Sequence, residues 1–80
     1  MKNLHIEYFA LLREERGCRG ETVHTDAVSA ADLYRELQTR HAFSTPADRL
    51  KVAIDNEIRP WNTLLKEGDT VSFIPPVSGG

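Results

Sequence analysis

Two alternating apolar segments at opposite ends of the chain constrain its fold most strongly. Leu4, Ile6 and Tyr8 alternate with polar residues near the start, and Val71 and Phe73 alternate with polar residues near the end. A period of two predicts half-buried β-strands. These are the most apolar strand segments of the chain. The two strands would be central in the sheet if they pair in parallel.

The clearest helix of the sequence begins after Ser29 and ends near His41. Ser29 can cap the helix, and Asp32 at its third position approximates a capping box. One stripe of apolar residues recurs at helical spacing: Ala30, Leu33, Tyr34 and Leu37. This stripe predicts a helix that lies with one face on a core.

Shorter elements fill the remainder of the chain. The pattern predicts a short helix over 10–16 that ends at Gly17, and strands over 21–25, 50–54 and 57–59. A loop is expected between Phe43 and Asp48, and Trp61 is expected to cover the core in part. The elements together predict an α+β fold, a mixed sheet with one main helix on one face.

Composition limits the compartment and the partners. Eighty residues make one domain, and 10 Lys and Arg against 12 Asp and Glu leave a net charge of −2. This balance argues against nucleic acid or an anionic membrane as a partner. The sequence has no apolar run of membrane-spanning length and no signal peptide. Cys18 is the one cysteine, so an internal disulfide is excluded and a cytoplasmic location is expected.

The chain ends in Pro75-Pro76-Val77-Ser78-Gly79-Gly80. The two prolines stop a strand and favour an extended exit, and the glycines lack the Cβ that would bar them from a narrow channel. Six residues reach roughly 20 Å from the domain. A terminal carboxylate becomes an acyl donor once it is activated. The tail therefore predicts an arm that enters another protein, although the tail alone leaves a frayed terminus open.

Two motifs carry a resemblance to a known family. The early motif is Phe9-Ala10, Leu12-Arg13-Glu14 and Gly17, and the late motif is Leu65, Gly68-Asp69, Val71 and Phe73, followed by the tail. With these motifs the chain resembles the ubiquitin-like β-grasp sulfur carriers, and among them the small subunits of molybdopterin synthase. The resemblance implies a β-grasp domain over 1–76 and a flexible tail over 77–80.

The resemblance also implies a mechanism. A ubiquitin-activating-like adenylyltransferase would use ATP to adenylylate Gly80, and a sulfurtransferase would convert it to a thiocarboxylate. The carrier would dock on the large synthase subunit in a 2+2 heterotetramer. Sulfur would pass there to the cyclic pyranopterin monophosphate precursor. Gly79 would allow the tail to insert, the catalytic acids and bases would lie on the large subunit, and the carrier would bind no cofactor or metal.

Strand parity predicts where the large subunit docks. Alternate side chains of a strand face opposite sides, so Phe9 and Ile74 should point away from the helix, with Ile58 on the same outer face. If the end strands are neighbours, Phe9 and Ile74 lie together at the base of the tail. Pro75, Pro76, Val77 and Ser78 complete the predicted partner-binding residues. An alternative is that Phe9 turns inward where the short helix begins.

Other functions stay open at this point. A thiamine-pathway sulfur carrier uses the same Gly-Gly chemistry, a ubiquitin-like modifier would form an isopeptide through Gly80, and a plain interaction module would need no Gly80. Cys18 could accept sulfur, but the sequence shows no recognisable His or Asp that would act as its catalytic partner. His5, His24 and His41 lack metal-ligand spacing.

Overall fold

A computed structural model describes residues 1–75 of the protein. The elements follow in the order β1 (Lys2–Tyr8), α1 (Ala10–Arg16), β2 (Gly20–Thr25), α2 (Ala30–His41), a 3-10 turn (Ala47–Arg49), β3 (Lys51–Ile54), β4 (Glu57–Arg59) and β5 (Thr70–Ile74). Every strand and helix that the sequence pattern predicts is present. The 3-10 turn overlaps the end of the predicted loop.

The strands form one mixed sheet in the order β2-β1-β5-β3-β4. β1 and β5 are parallel neighbours, whereas every other pairing is antiparallel. β5 is therefore the central strand with β1 beside it, which is the arrangement expected of the two apolar end segments if they pair in parallel. The fold class is confirmed: α2 packs with one face of the sheet around a single apolar cluster.

The capping residues and the apolar stripe fix the placement of α2. Ser29 Oγ accepts from the backbone N–H of Asp32 at 3.2 Å, and the Asp32 carboxylate accepts from the Ser29 N–H at 3.4 Å, which completes the capping box. The next free N–H groups, of Ala30 and Ala31, donate to carbonyls of the loop 61–63. All four stripe residues are buried: Ala30, Leu33, Tyr34 and Leu37.

Aromatic side chains close the core beneath the central strand. Trp61 is partly buried and stacks on Phe73 with ring centroids 6.0 Å apart, which confirms its predicted position over the core. Phe43 lies in a predicted loop yet is only 4% exposed. It packs between Tyr8 and Tyr34, with centroid distances of 5.6 and 6.1 Å.

Left-handed residues shape the turns beside the outer face. Gly17 ends α1 at φ 85°, the conformation that glycine adopts most readily. Asp55 and Asn56 have φ values of 52° and 70° and form the tight turn between β3 and β4. Ala10 also has a positive φ, 50°, and turns the chain from β1 into α1 directly after Phe9.

Candidate partner-docking face and tail exit

The sheet has a helix-side face and an opposite face, which we call the outer face. Leu4, Ile6 and Tyr8 of β1 are at most 1% exposed, and Val71 and Phe73 of β5 are fully buried. Their side chains belong to the core cluster, so the residues between them point away from α2. The parity predicted for both end strands is confirmed.

The residues of the outer face nearest the end of β5 form a short row, which we call the tail row. Ile74 pairs with Lys51 of β3. On its other side Tyr8 pairs with Phe73, so Phe9 follows next to Ile74 in the parallel register. The tail row therefore consists of Phe9, Ile74 and Lys51.

Phe9 keeps the extended backbone of β1, with φ −127° and ψ 150°, and its side chain is 37% exposed. The alternative in which Phe9 turns into the core is therefore wrong. The left-handed Ala10 bends the chain only after Phe9 has taken its place at the end of β1. Ile74 is half-buried although its neighbour Phe73 is fully buried.

A second row crosses the middle of the outer face. Ser72 pairs with Glu7 on one side and with Ala53 on the other, and Ala53 pairs with Ile58. We call Glu7, Ser72, Ala53 and Ile58 the middle row. Ile58 is 59% exposed, a high value for a large apolar side chain on a sheet. The next row away from the tail is polar: Thr22, His5 and Thr70.

The outer face is therefore graded, with its apolar side chains nearest the point where the tail leaves the domain. Pro75 is half-buried and is the last described residue. The predicted partner-binding and acyl-donor residues Pro76, Val77, Ser78, Gly79 and Gly80 lie outside the described residues, and their roles stay predictions. The division at residue 76 stays a prediction for the same reason.

A groove of about 440 Å³ adjoins the tail row at the edge strand β4. Its apolar walls include Leu50, Ile58 and Trp61, and Lys51 and Arg59 contribute charge. Because Ile58 and Lys51 also belong to the outer face, the groove continues that face around the sheet edge. The sequence pattern did not predict this groove, because its walls come from β3, β4 and the loop after β4.

A polar cluster on the helix side anchors α1 beside Phe9. Arg16 donates from Nε and Nη2 to the two carboxylate oxygens of Glu21, both at 2.8 Å, and Tyr8 donates its hydroxyl to Glu21 at 2.6 Å. The hydrogen bonds from Arg16 lower the pKa of Glu21. Burial, and then the bond to Glu21, raises the pKa of Tyr8.

His41 completes this cluster from the end of α2. Its Nε2 lies 3.7 Å from the Glu21 carboxylate and is buried with no hydrogen-bond partner. Burial, reinforced by the charge of Arg16, lowers the pKa of His41. The cluster ties β1, α1, β2 and α2 together on the helix side of the sheet, so it does not belong to the tail row.

The described part of the chain has neither a metal-binding cluster nor a membrane-spanning helix. Within residues 1–75, no three His, Cys, Asp or Glu side chains are grouped to bind a metal ion. Over the same residues, neither helix has the length and apolarity that a membrane crossing requires.

The sequence prediction also missed three polar members of the outer face, Glu7, Ser72 and Lys51. Strand parity places Glu7 and Ser72 on that face, because each lies between two buried residues. Only the pairing of β1, β5 and β3 brings the three together.

Comparison with known proteins identifies the family. A profile of the ThiS family matches residues 6–80. The molybdopterin synthase sulfur carrier subunit of Mycobacterium tuberculosis is 30% identical over 83 residues, which cover 100% of both chains. The molybdopterin synthase sulfur carrier subunit of Homo sapiens is 30% identical over 82 residues, covering 96% of this chain and 93% of the human chain.

Solved structures show the same fold. A putative molybdopterin converting factor subunit 1 from Pyrococcus furiosus matches with a TM-score of 0.81 and 26% identity, covering 96% of this chain and 100% of that one. Small archaeal modifier protein 1 from Haloferax volcanii matches with a TM-score of 0.81, 23% identity and the same coverage. In Helicobacter pylori, a complex of subunits 1 and 2 of molybdopterin-converting factor contains a chain with a TM-score of 0.68, 23% identity, and coverage of 98% of this chain and 99% of its own length.

These likenesses confirm the predicted ubiquitin-like β-grasp. The family profile covers nearly the whole chain, and the sequence relatives match it from end to end. The chain therefore belongs to the ThiS family, and within it is similar to the sulfur carrier subunits of molybdopterin synthase.

Proposed function

We propose that this protein is a cytoplasmic sulfur carrier of molybdenum cofactor biosynthesis and the non-catalytic small subunit of a molybdopterin synthase. The observation that carries the proposal is the end-to-end match to sulfur carrier subunits of that enzyme. The family profile also extends to Gly80, the residue that would carry the sulfur.

The proposed chemistry takes place at the Gly80 carboxylate. A ubiquitin-activating-like adenylyltransferase joins the carboxylate to AMP from ATP and releases pyrophosphate. The persulfide of a sulfurtransferase then displaces AMP and forms an acyl disulfide, and a second thiol cleaves its S–S bond to leave the thiocarboxylate and a disulfide. The tethered sulfur reaches the cyclic pyranopterin monophosphate precursor at high effective concentration, so no free sulfide is released.

The graded outer face supports docking on a large subunit. Phe9 and Ile74 lie at the end of the sheet where the tail leaves, and Ile58 extends the apolar surface across the middle row. From a domain docked there, the six residues 75–80 could reach roughly 20 Å into the large subunit. The catalytic acids and bases then belong to the large subunit, in the 2+2 assembly that we propose.

Removal of Gly80 tests the acyl-donor role. We expect the truncated protein to lose sulfur transfer to the precursor while its melting temperature hardly changes. Gly79→Val should act in the same way, because a Cβ and its methyl groups restrict the dihedral angles available in a channel. Leu64→Ala, at an exposed position of the loop beside α2, serves as a control outside the tail. Full synthase activity of either tail variant would contradict the proposal.

Mass spectrometry of the intact native protein tests the chemistry directly. After alkylation, a fraction of the chains should carry sulfur in place of one carboxylate oxygen of Gly80. Sulfur located at Cys18, with Gly80 unmodified during active cofactor synthesis, would contradict the carrier mechanism.

Protein modification is the second candidate function. The likeness to small archaeal modifier protein 1 favours it at the level of the fold, and an activated Gly80 would also react with a lysine amine. A ladder of covalent conjugates that requires Gly80 would support this function. Reconstitution with a large synthase subunit and with thiamine-pathway enzymes distinguishes a sulfur carrier of molybdenum cofactor synthesis from one of the thiamine pathway.

A further inference from the structure

Glu7 is the one carboxylate of the outer face that lies in the middle row. Its neighbours along β1, Ile6 and Tyr8, are buried on the helix side, so Glu7 points outward and is exposed. Ser72 donates its hydroxyl to Glu7 Oε1 at 2.9 Å. Ser72 is only 4% exposed, and its hydroxyl occupies one acceptor position of the exposed carboxylate. The other acceptor positions are available to a partner.

The surroundings of Glu7 are apolar on the side of the tail. Phe9 and Ile74 form the adjacent row, and Ala53 and Ile58 continue the row of Glu7 itself. A protein that covers these side chains also removes water from Glu7. A carboxylate that is covered without a counter-charge is costly, whereas one that gains a cation and hydrogen bonds is not.

Within residues 1–75, Glu7 has no ion-pair partner that would balance its charge. The nearest cation by register on the same face is Lys51, two strands away and one row closer to the tail. Strand spacing places their Cα atoms about 12 Å apart. That separation exceeds the screening length of about 8 Å at physiological salt, so the two charges act as separate contacts.

We propose that Glu7 determines partner specificity by pairing with an Arg or Lys side chain of the protein that covers the outer face. Ser72 is its positioning residue. With Lys51 on the other side of β5, Glu7 gives the face one negative and one positive contact, which together select a single docking orientation. This inference rests on the proposed function, in which the covering protein is the large synthase subunit.

Affinity for the large subunit from the same organism tests the proposal. Glu7→Gln keeps the shape of the side chain and can still accept from Ser72, but it removes the charge. We expect Kd to rise about tenfold. Glu14→Gln, on the exposed surface of α1, makes the same change in net charge and should leave Kd within about twofold. Ser72→Ala should weaken binding by a smaller factor than Glu7→Gln does.

Salt dependence and a double-mutant cycle identify the paired cation. The affinity of the native protein should fall more steeply with salt than that of Glu7→Gln. For one Arg or Lys of the large subunit, replacement by Gln should weaken binding of the native protein. The same replacement should have little further effect on binding of the Glu7→Gln variant.

Two outcomes would overturn the proposal and separate it from the docking model. If Glu7→Gln binds as tightly as the native protein with the same salt dependence, while Ile74→Ala weakens binding, the face is right and the role of Glu7 is wrong. If the native protein does not bind the large subunit, the proposed function fails and the inference fails with it.

Discussion

Neighbouring residues of one strand differ in exposure according to the face of the sheet on which they lie. Phe73 is fully buried and packs against Tyr34 and Trp61, whereas Ile74, the next residue, is partly exposed in the tail row. Tyr8 and Phe9 repeat the contrast at the end of β1. The helix-side face is complete within the chain, but the outer face leaves large apolar groups in water. Such a surface is typical of an interaction site.

The polar groups show the same difference. Glu21 lies on the helix side of β2 and receives hydrogen bonds from Arg16 and Tyr8. Glu7 lies on the outer face of β1 and receives one from Ser72. The first carboxylate is balanced by its own domain, and we infer that the second is balanced by a partner. On this inference, the helix-side face serves stability and the outer face serves recognition.

Adjacent truncations in β5 should give the largest difference. Phe73→Ala removes a fully buried ring and should lower the free energy of unfolding by about 3–5 kcal/mol. Ile74→Ala should cost clearly less, because its side chain is partly in water already. Denaturant melts of both variants measure the difference. A greater stability loss for Ile74→Ala would reverse the assignment of the faces.

Affinity for the large subunit should depend on the exposed residues of the outer face, whereas the free energy of unfolding depends on the buried ones. Phe9→Ala and Ile74→Ala should each weaken binding of the large subunit by on the order of 1–3 kcal/mol, as truncated interface anchors do. Leu64→Ala is the control, because Leu64 is 67% exposed but belongs to the loop beside the start of α2. Titration calorimetry decides the matter. Unchanged affinity for both tail-row variants would remove the outer face as the docking surface.

Acid should destabilise the domain through its helix side. The folded state lowers the pKa of His41 from 6.5 and that of Glu21 from 4.5, so the unfolded chain binds more protons in both ranges. Stability is therefore full above these values and falls as pH drops below about 6.5 and then below about 4.5.

Denaturant melts across pH measure this loss of stability. His41→Gln should flatten the upper range and Glu21→Gln the lower one. A pH profile that both variants leave unchanged would contradict this role of the polar cluster.

The turn at Ala10, directly after Phe9, should give the smallest effect. Ala10 has φ 50°, a conformation that costs a residue with a Cβ about 1–2 kcal/mol. Ala10→Gly removes that cost but gives the unfolded chain more freedom, so we expect a net gain of roughly 0.5 kcal/mol. Ala31→Gly, within α2, should instead lose about 1 kcal/mol. Thermal melts measure the change in stability of both variants. A loss of stability in Ala10→Gly would contradict the backbone strain at Ala10.

The spacing of residues a few positions apart was sufficient to predict most of the fold. The capping box at Ser29, the stripe that includes Leu33 and Leu37, and the alternation of Leu4 and Ile6 all depend on residues a few positions apart. The apolar end segments were expected to be central if they pair in parallel, and the structure meets that condition. Phe43 shows where pattern failed, since a loop residue became a core residue through aromatic contacts that local spacing does not encode.

The sequence by itself determined which side of its strand each side chain takes, because the period of two is a local property of extended backbone. It also contains the family motifs and the tail that the proposed function requires. Only the tertiary structure decided which outward side chains meet, because register depends on contacts between distant segments. Glu7 and Ser72 are 65 positions apart and share a hydrogen bond only because β1 and β5 pair at one register. The same register sets Phe9 beside Ile74, and β3 then adds Lys51, so the proposed docking face is a product of strand pairing rather than of any single segment.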